Sequence, residues 1–192
     1  MKRWSFLLLA LLVSCSETPA DSPHALSRSP VSVRGWIHDV EGSVHEQIPD
    51  LEIARRQQLF MATTVFVEKS EFSSGGVGEN GAFLVLDVPP NAADVVFQST
   101  NIDAARLVLK DVPGNADVIV PAIILRRGAV TVLDPKAIKV RLPSDAKQPR
   151  DTGKFATVAG HRVPIIETPL AQLADRREYP DPGGFRPVAT FK

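Results

Sequence analysis

The sequence predicts an all-β domain, and three observations carry that expectation. Short β-branched or alternating segments recur from Ala62 to Leu142, each bounded by Gly, Pro, Asn or Asp. Sixteen prolines leave little room for long helices, because proline lacks a backbone donor and clashes inside a helix. The hydrophobic fraction is 44% while aromatic residues supply only 6%, so the core is expected to be Val, Leu, Ile and Ala with a few of the nine Phe. About eight short strands over about 110 residues, with a turn every 8–12, form the pattern of a β-sandwich.

The chain begins with a basic Met1-Lys2-Arg3, followed by Trp4–Val13, apolar except for Ser5. That run is too short for a bilayer, which needs roughly 20 apolar residues. A basic start and a short apolar core are the pattern of a secretory signal. The run ends in Leu12-Val13-Ser14-Cys15, and Cys15 is the one cysteine of the chain. One cysteine makes neither an intrachain disulfide nor a thiolate metal cage. The four residues resemble the lipobox of bacterial lipoproteins. The resemblance implies a signal peptide over residues 1–14 and a Cys15 that becomes the N-terminus. It also implies that this Cys carries a diacylglyceryl group and usually a third acyl chain. Membrane lipid would then be a partner, since several acyl chains anchor stably where one does so marginally. Ser16 rather than Asp follows the cysteine; by analogy with enterobacterial sorting, this favours the outer membrane facing the periplasm. The plainer alternatives are a signal peptide cleaved nearby or a short uncleaved anchor.

Residues 15–30 carry the lipidated Cys and a spacer in which nearly every residue is small, polar or Pro, a composition that reads as a flexible tether. His24 is expected to be solvated there. Val31–Val40 then alternates Val31, Val33, Gly35 and Ile37 against Ser32, Arg34, Trp36 and His38, which predicts a half-buried strand ending at the turn Glu41-Gly42-Ser43. His38, Asp39, Glu41, His45 and Glu46 fall within nine residues, a set that would suit a divalent ion. The histidines are seven apart, a spacing of neither a helical zinc pair nor a tight hairpin, so a polar strand end is the plainer reading. His38 and His45 are therefore weak metal candidates. Between Ile48 and Met61 the pattern suggests a short helix or a crossover, with Asp50 as N-cap and Leu51, Ala54, Gln58 and Met61 on one face. Arg55 and Arg56 are expected to be solvated.

The strands expected next are 62–68, 82–88, 94–100, 104–112, 117–125, 128–133 and 138–142. Ser70–Gly78 reads as a mobile Gly/Ser loop. Its Ser73–Gly78 lacks the Lys-Ser/Thr of a phosphate cradle and precedes a strand, so a hairpin loop is expected. Asn80-Gly81 is a turn signal, since such pairs accept positive φ cheaply. Pro121 conflicts with a regular central strand and predicts a bulge or an edge.

Glu79-Asn80-Gly81-Ala82-Phe83, a hydrophobic strand, then Val88-Pro89-Pro90 resembles the acidic-x-Gly-x-Phe … Val-Pro-x-Gly core of carboxypeptidase regulatory-like domains. Strand Val31–Val40 followed by Glu41-Gly42 resembles their opening. The resemblance spans residues 31–126 and departs where Asn91 replaces the usual Gly and where the insert after the first strand is longer. It implies an immunoglobulin/transthyretin-like Greek-key β-sandwich, here placed at residues 31–142, in a family that is generally non-catalytic. Other immunoglobulin-like sandwiches remain open.

Residues 143–192 hold seven of the sixteen prolines and are expected to be a Pro-rich extension, with a possible strand at 156–166. A short helix is expected near 169–177, with Thr168 as N-cap, Pro169 at N1 and Arg176 and Arg177 in the last turn. His161 is expected to be structural.

Composition narrows the function classes. Lysines and arginines balance acids at 22 each, and no basic patch stands out, so nucleic acid is not an expected partner. No Gly-x-Ser-x-Gly, dinucleotide loop or His-rich metal motif is present, so no catalytic residue and no cofactor are expected. The leading expectation is a lipid-anchored envelope lipoprotein, a non-catalytic binding or scaffold module for an envelope protein or glycan. A second is an accessory subunit of a larger envelope complex, docking through residues 143–192 by strand addition. A third, and weaker, is a metal-dependent hydrolase using His38 and His45.

Overall fold

The computed structural model describes residues 29–42, 49–70 and 73–174. The described chain is mostly β, as expected. Its eleven strands are β1 (Val31–Val40), β2 (Thr64–Val67), β3 (Ser74–Gly76), β4 (Ala82–Val88), β5 (Asn91–Ser99), β6 (Ile102–Val112), β7 (Asp117–Arg126), β8 (Ala129–Val132), β9 (Lys139–Ser144), β10 (Arg150–Val158) and β11 (His161–Pro169). Two helices join them, α1 (Pro49–Met61) and α2 (Leu170–Ala174), with a 3-10 turn at Pro135–Ala137.

The strands form one sheet in the order β3-β2-β5-β6-β10-β11-β9-β7-β1-β4, with β8 paired to β7 off this path. The path narrows at β6–β10, where only Thr157↔Lys110 and Val158↔Leu109 pair. Its two ends meet: directly after β3, Val77 bridges Phe83 of β4, and the Gly78 N–H donates to the Ala82 carbonyl at 2.8 Å. The sheet thus returns on itself around a Val- and Leu-rich core, where Phe83 of β4 meets Phe97 of β5 edge to face at 5.0 Å. Such T-shaped pairs add attraction beyond buried area, because a ring edge is positive and its face negative.

β1 departs from the half-buried expectation. Arg34 and Trp36 are buried along with Val31, Val33 and Ile37. β1 lies inside the sheet, between β7, parallel to it, and β4, antiparallel to it, and on its expected polar face Arg34 is held by the Asp117 carboxylate of β7. Pro121 behaves as expected of a strand proline. Gly35 pairs with Val120 and Trp36 with Ala122, so Pro121 is the extra residue of a bulge and its missing N–H interrupts no ladder position.

α1 forms, but it buries a different face from the one expected. Leu51 and Met61 are 54% and 53% exposed, and Ala54 and Gln58 are exposed too, whereas Phe60 is 1% exposed. Phe60 is drawn in because the helix ends over Gly81, whose added Cβ would lie 3.2 Å from the Phe60 ring. The Thr63 hydroxyl donates to the Leu59 carbonyl at 2.7 Å and closes the last turn. Arg56 is not simply solvated: it pairs with Glu52 one turn back at 2.7 Å. Phe60→Ala is expected to cost about 3 kcal/mol, and Leu51→Ala to stay within about 0.5 kcal/mol. Urea midpoints measure both; equal losses would mean that the helix is seated the other way.

The Gly/Ser segment is a strand rather than a mobile loop where it is described. β3 pairs with β2, and an added Cβ at Gly75 would lie 2.7 Å from the Leu84 carbonyl. Glycine is used there for close backbone approach. Glu71 and Phe72 lie outside the described residues. The Asn80-Gly81 turn is present: Gly81 has φ +80°, and the Ala82 N–H donates to Asn80 Oδ1 at 3.0 Å.

Strand pairing continues past residue 142, the expected end of the sandwich. β10 and β11, inside the expected extension, sit between β6 and β9. The prolines fit because of where they fall. Pro143 and Pro169 lie near the ends of β9 and β11, and the β9–β11 ladder starts at Ile165, one residue after Pro164. β10 carries a wide bulge at Thr152–Lys154, with Gly153 at φ +70° and the Thr152 hydroxyl donating to the Ile165 carbonyl at 2.6 Å. Thr168 does not cap α2. It is a buried residue of β11, and among the described residues its hydroxyl has no hydrogen-bond partner. Arg176 and Arg177 lie outside the described residues.

Candidate functional site

An open groove of about 630 Å³ lies among the described residues where the chain enters and leaves the sheet. Val31 of β1, Leu86 of β4, Asp117 of β7, Pro143 of β9, and Leu170 and Leu173 of α2 line it. Its walls are mostly apolar, with Ser32, Asp87, Asn115 and Asp117 as polar members, and Leu86 and Leu170 are 45% and 54% exposed. One polar cluster lies in its wall. Arg34 Nη2 donates to Asp117 Oδ2 at 2.7 Å, and the Ser32 hydroxyl donates to Asp117 Oδ1 at 2.8 Å. The pair is largely out of water, with side-chain exposures of 4% and 14%. Both carboxylate oxygens are thus engaged, and the charge is balanced within the wall.

Two copies of one turn shape this groove, a feature the strand-by-strand reading passes over. Val85-Leu86-Asp87-Val88-Pro89-Pro90-Asn91-Ala92 and Leu109-Lys110-Asp111-Val112-Pro113-Gly114-Asn115-Ala116 repeat Asp-Val-Pro-x-Asn-Ala. The backbones match: Asp87 and Asp111 have φ of 55° and 58°, Asn91 and Asn115 of 74° and 61°. Each Asp is the extra residue of a bulge, since Val31 and Val33 pair with Val88 and Val85, while Asn91 and Ala92 pair with Val112 and Lys110. The bulge lets the residues on either side of it, Val85 with Val88 and Leu109 with Val112, all face the core. Asp and Asn tolerate the left-handed region better than other non-Gly residues, which is why they recur there. The groove takes Leu86 and Asp87 from the first copy, Asn115 and Ala116 from the second, and Asp117 just after it. A smaller one of about 220 Å³ takes Ala92 from the first, with Ala93 and Asp94 just after it, and Leu109 and Lys110 from the second. The repeated six-residue pattern was the signal available for finding both.

The sequence-derived candidates fall elsewhere. Cys15, His24 and His45 lie outside the described residues. His38 is exposed near the end of β1. Its acidic neighbours have structural partners: Asp39 accepts from Arg126 at 2.9 Å, and the Glu41 carboxylate accepts the Arg127 N–H. Among the described residues no group of three or more His, Cys, Asp or Glu could hold a metal ion. His161 is exposed at the start of β11, next to Arg162, whose guanidinium lies 3.9 Å over the Phe155 ring. Of the expected tether, Ser29 and Pro30 are described, Ser29 half-buried and Pro30 exposed. Ser29 accepts from the Asn115 N–H at 3.2 Å, and an added Cβ at Gly114 would meet Ser29 at 2.4 Å. No helix among the described residues is long and apolar enough to cross a membrane.

No family model, curated protein or solved structure matches the chain.

Proposed function

We propose that the chain is a lipid-anchored envelope protein whose β domain is a non-catalytic binding or scaffold module. The observation that carries this reading is Leu12-Val13-Ser14-Cys15, with the only cysteine of the chain at the lipidation position. A membrane tether attached there would enter the domain at Ser29, beside the β6–β7 turn. The domain is best read as an immunoglobulin/transthyretin-like Greek-key sandwich. What supports this is the strand order: β3-β2-β5-β6 on one side of the narrow β6–β10 junction, β7-β1-β4 at the other end of the path. Sequence neighbours pair in the hairpins β2–β3 and β5–β6, while β4 returns antiparallel to β1, a non-local pairing of the kind a Greek key contains; β7 flanks the other side of β1 in parallel.

Cys15→Ala in the full chain tests the anchor. Membrane-bound protein should fall by about tenfold or more, because several acyl chains contribute far more to membrane affinity than the short apolar run alone. Unchanged retention in the membrane fraction sinks the reading. The accessory-subunit alternative changes form: deleting residues 143–192 would remove β10 and β11, so a docking extension is confined to residues 175–192.

A further inference from the structure

We propose that the apolar groove at the mouth of the sheet is the seat of residues 175–192 of the same chain. Three observations converge on this occupant. Leu173, in the groove wall, is one residue from the end of the described chain, so the following segment starts at the site with no linker to span. The exposed Leu86 and Leu170 leave uncovered apolar surface in the same groove. Apolar surface of this kind is stabilised by whatever removes it from water. The third is composition. Residues 175–192 carry Tyr179, Phe185, Val188 and Phe191 among their prolines, the kind of aromatic and aliphatic side chains that fill an apolar groove. The competing segment, residues 16–28, also adjoins the groove through Pro30, but it holds Leu26 as its one large apolar residue. The charges of the groove do not exclude either segment: Asp117 is paired with Arg34, and Asp87 is the other acid of the lining, while both segments carry arginine. Apolar content therefore decides in favour of the C-terminal segment.

This inference does not depend on the membrane anchor, and its test separates the two. A photo-crosslinking phenylalanine analogue is placed at Leu86 or Leu170 in the full chain, both exposed positions that tolerate replacement, and at Leu133 as a control. After irradiation at low protein concentration, cross-linked peptides are mapped by mass spectrometry. The expected result is an intramolecular link from Leu86 and Leu170 to residues 175–192, with none from Leu133. Links to residues 16–28, cross-linked dimers, or no link to residues 175–192 overturn the proposal. As a second readout, Leu86→Asp should speed tryptic cleavage at Arg176 or Arg177 by about tenfold, the effect of losing one apolar contact. An unchanged rate counts against it.

Discussion

Gly35→Ala is expected to destabilise the domain by about 3 kcal/mol, at the upper end for overpacking a core. A Cβ there would lie 2.5 Å from the Val120 carbonyl oxygen and 3.0 Å from the Phe83 ring. The first contact is with backbone, on the strand directly paired to β1 and one residue before the Pro121 bulge, so it has no side-chain rotation to relieve it. The second is with a ring packed edge-on against Phe97. Gly76→Ala is the matched control: its Cβ meets nothing within 4 Å, and the change should stay within about 0.5 kcal/mol. Urea unfolding with unchanged m-values reads both. Equal effects would show that β1 and β7 are not in this register. A loss of this size is a large share of the ~5–15 kcal/mol available to a domain, so Gly35→Ala is expected to lower the yield of folded protein as well.

The other large effect is expected at the buried ion pair. Asp117→Ala removes the acceptor of both Arg34 and Ser32 and leaves a guanidinium in a wall that is almost closed to water. Breaking such a pair from one side costs about 3–5 kcal/mol, because the remaining charge keeps its desolvation penalty and loses this carboxylate. Replacing both partners, Arg34→Met with Asp117→Leu, should recover most of that loss. Glu167→Ala breaks the Arg150–Glu167 pair, in which Arg150 is 70% exposed, and should change stability by under ~1 kcal/mol. If Asp117→Ala is as mild as Glu167→Ala, the pair is solvated and the groove wall is open where it is described as closed.

Much of the strand pattern was readable along the chain because each strand advertises itself locally. Ala82–Val88 has a period of two until its bulge, and Asn80-Gly81 and Pro89-Pro90 punctuate both ends. Even Pro121 announced its bulge, since a missing N–H is a local property. What escaped was set by partners far away in sequence. The exposed polar face expected for β1 did not foresee Asp117, far along the chain, which pairs with Arg34 out of water, or the burial of Trp36. In α1 the apolar residues are spread around the helix, so which stripe is buried depends on where the helix lands, and Phe60 lands over Gly81. The proline-rich stretch after residue 142 suggested a tail, yet its prolines fall at strand ends and its glycine at a bulge, which only the pairing with β6 and β9 reveals.

The candidate groove divides the same way. The turn motif that shapes it is written twice in the sequence, because Asp and Asn at positive φ and Pro after Val are local backbone demands. The groove itself is not written there. It needs Leu86 from the first turn, Asp117 just after the second, and Leu170 and Leu173 from α2. By itself the sequence determined the all-β class, most strand limits and the turn chemistry. The tertiary structure alone decided which faces are buried, that residues 150–169 belong to the sheet, and that two distant turns and a short helix enclose one apolar groove. Backbone preferences act over a few residues, whereas burial and shape depend on pairings across the whole chain.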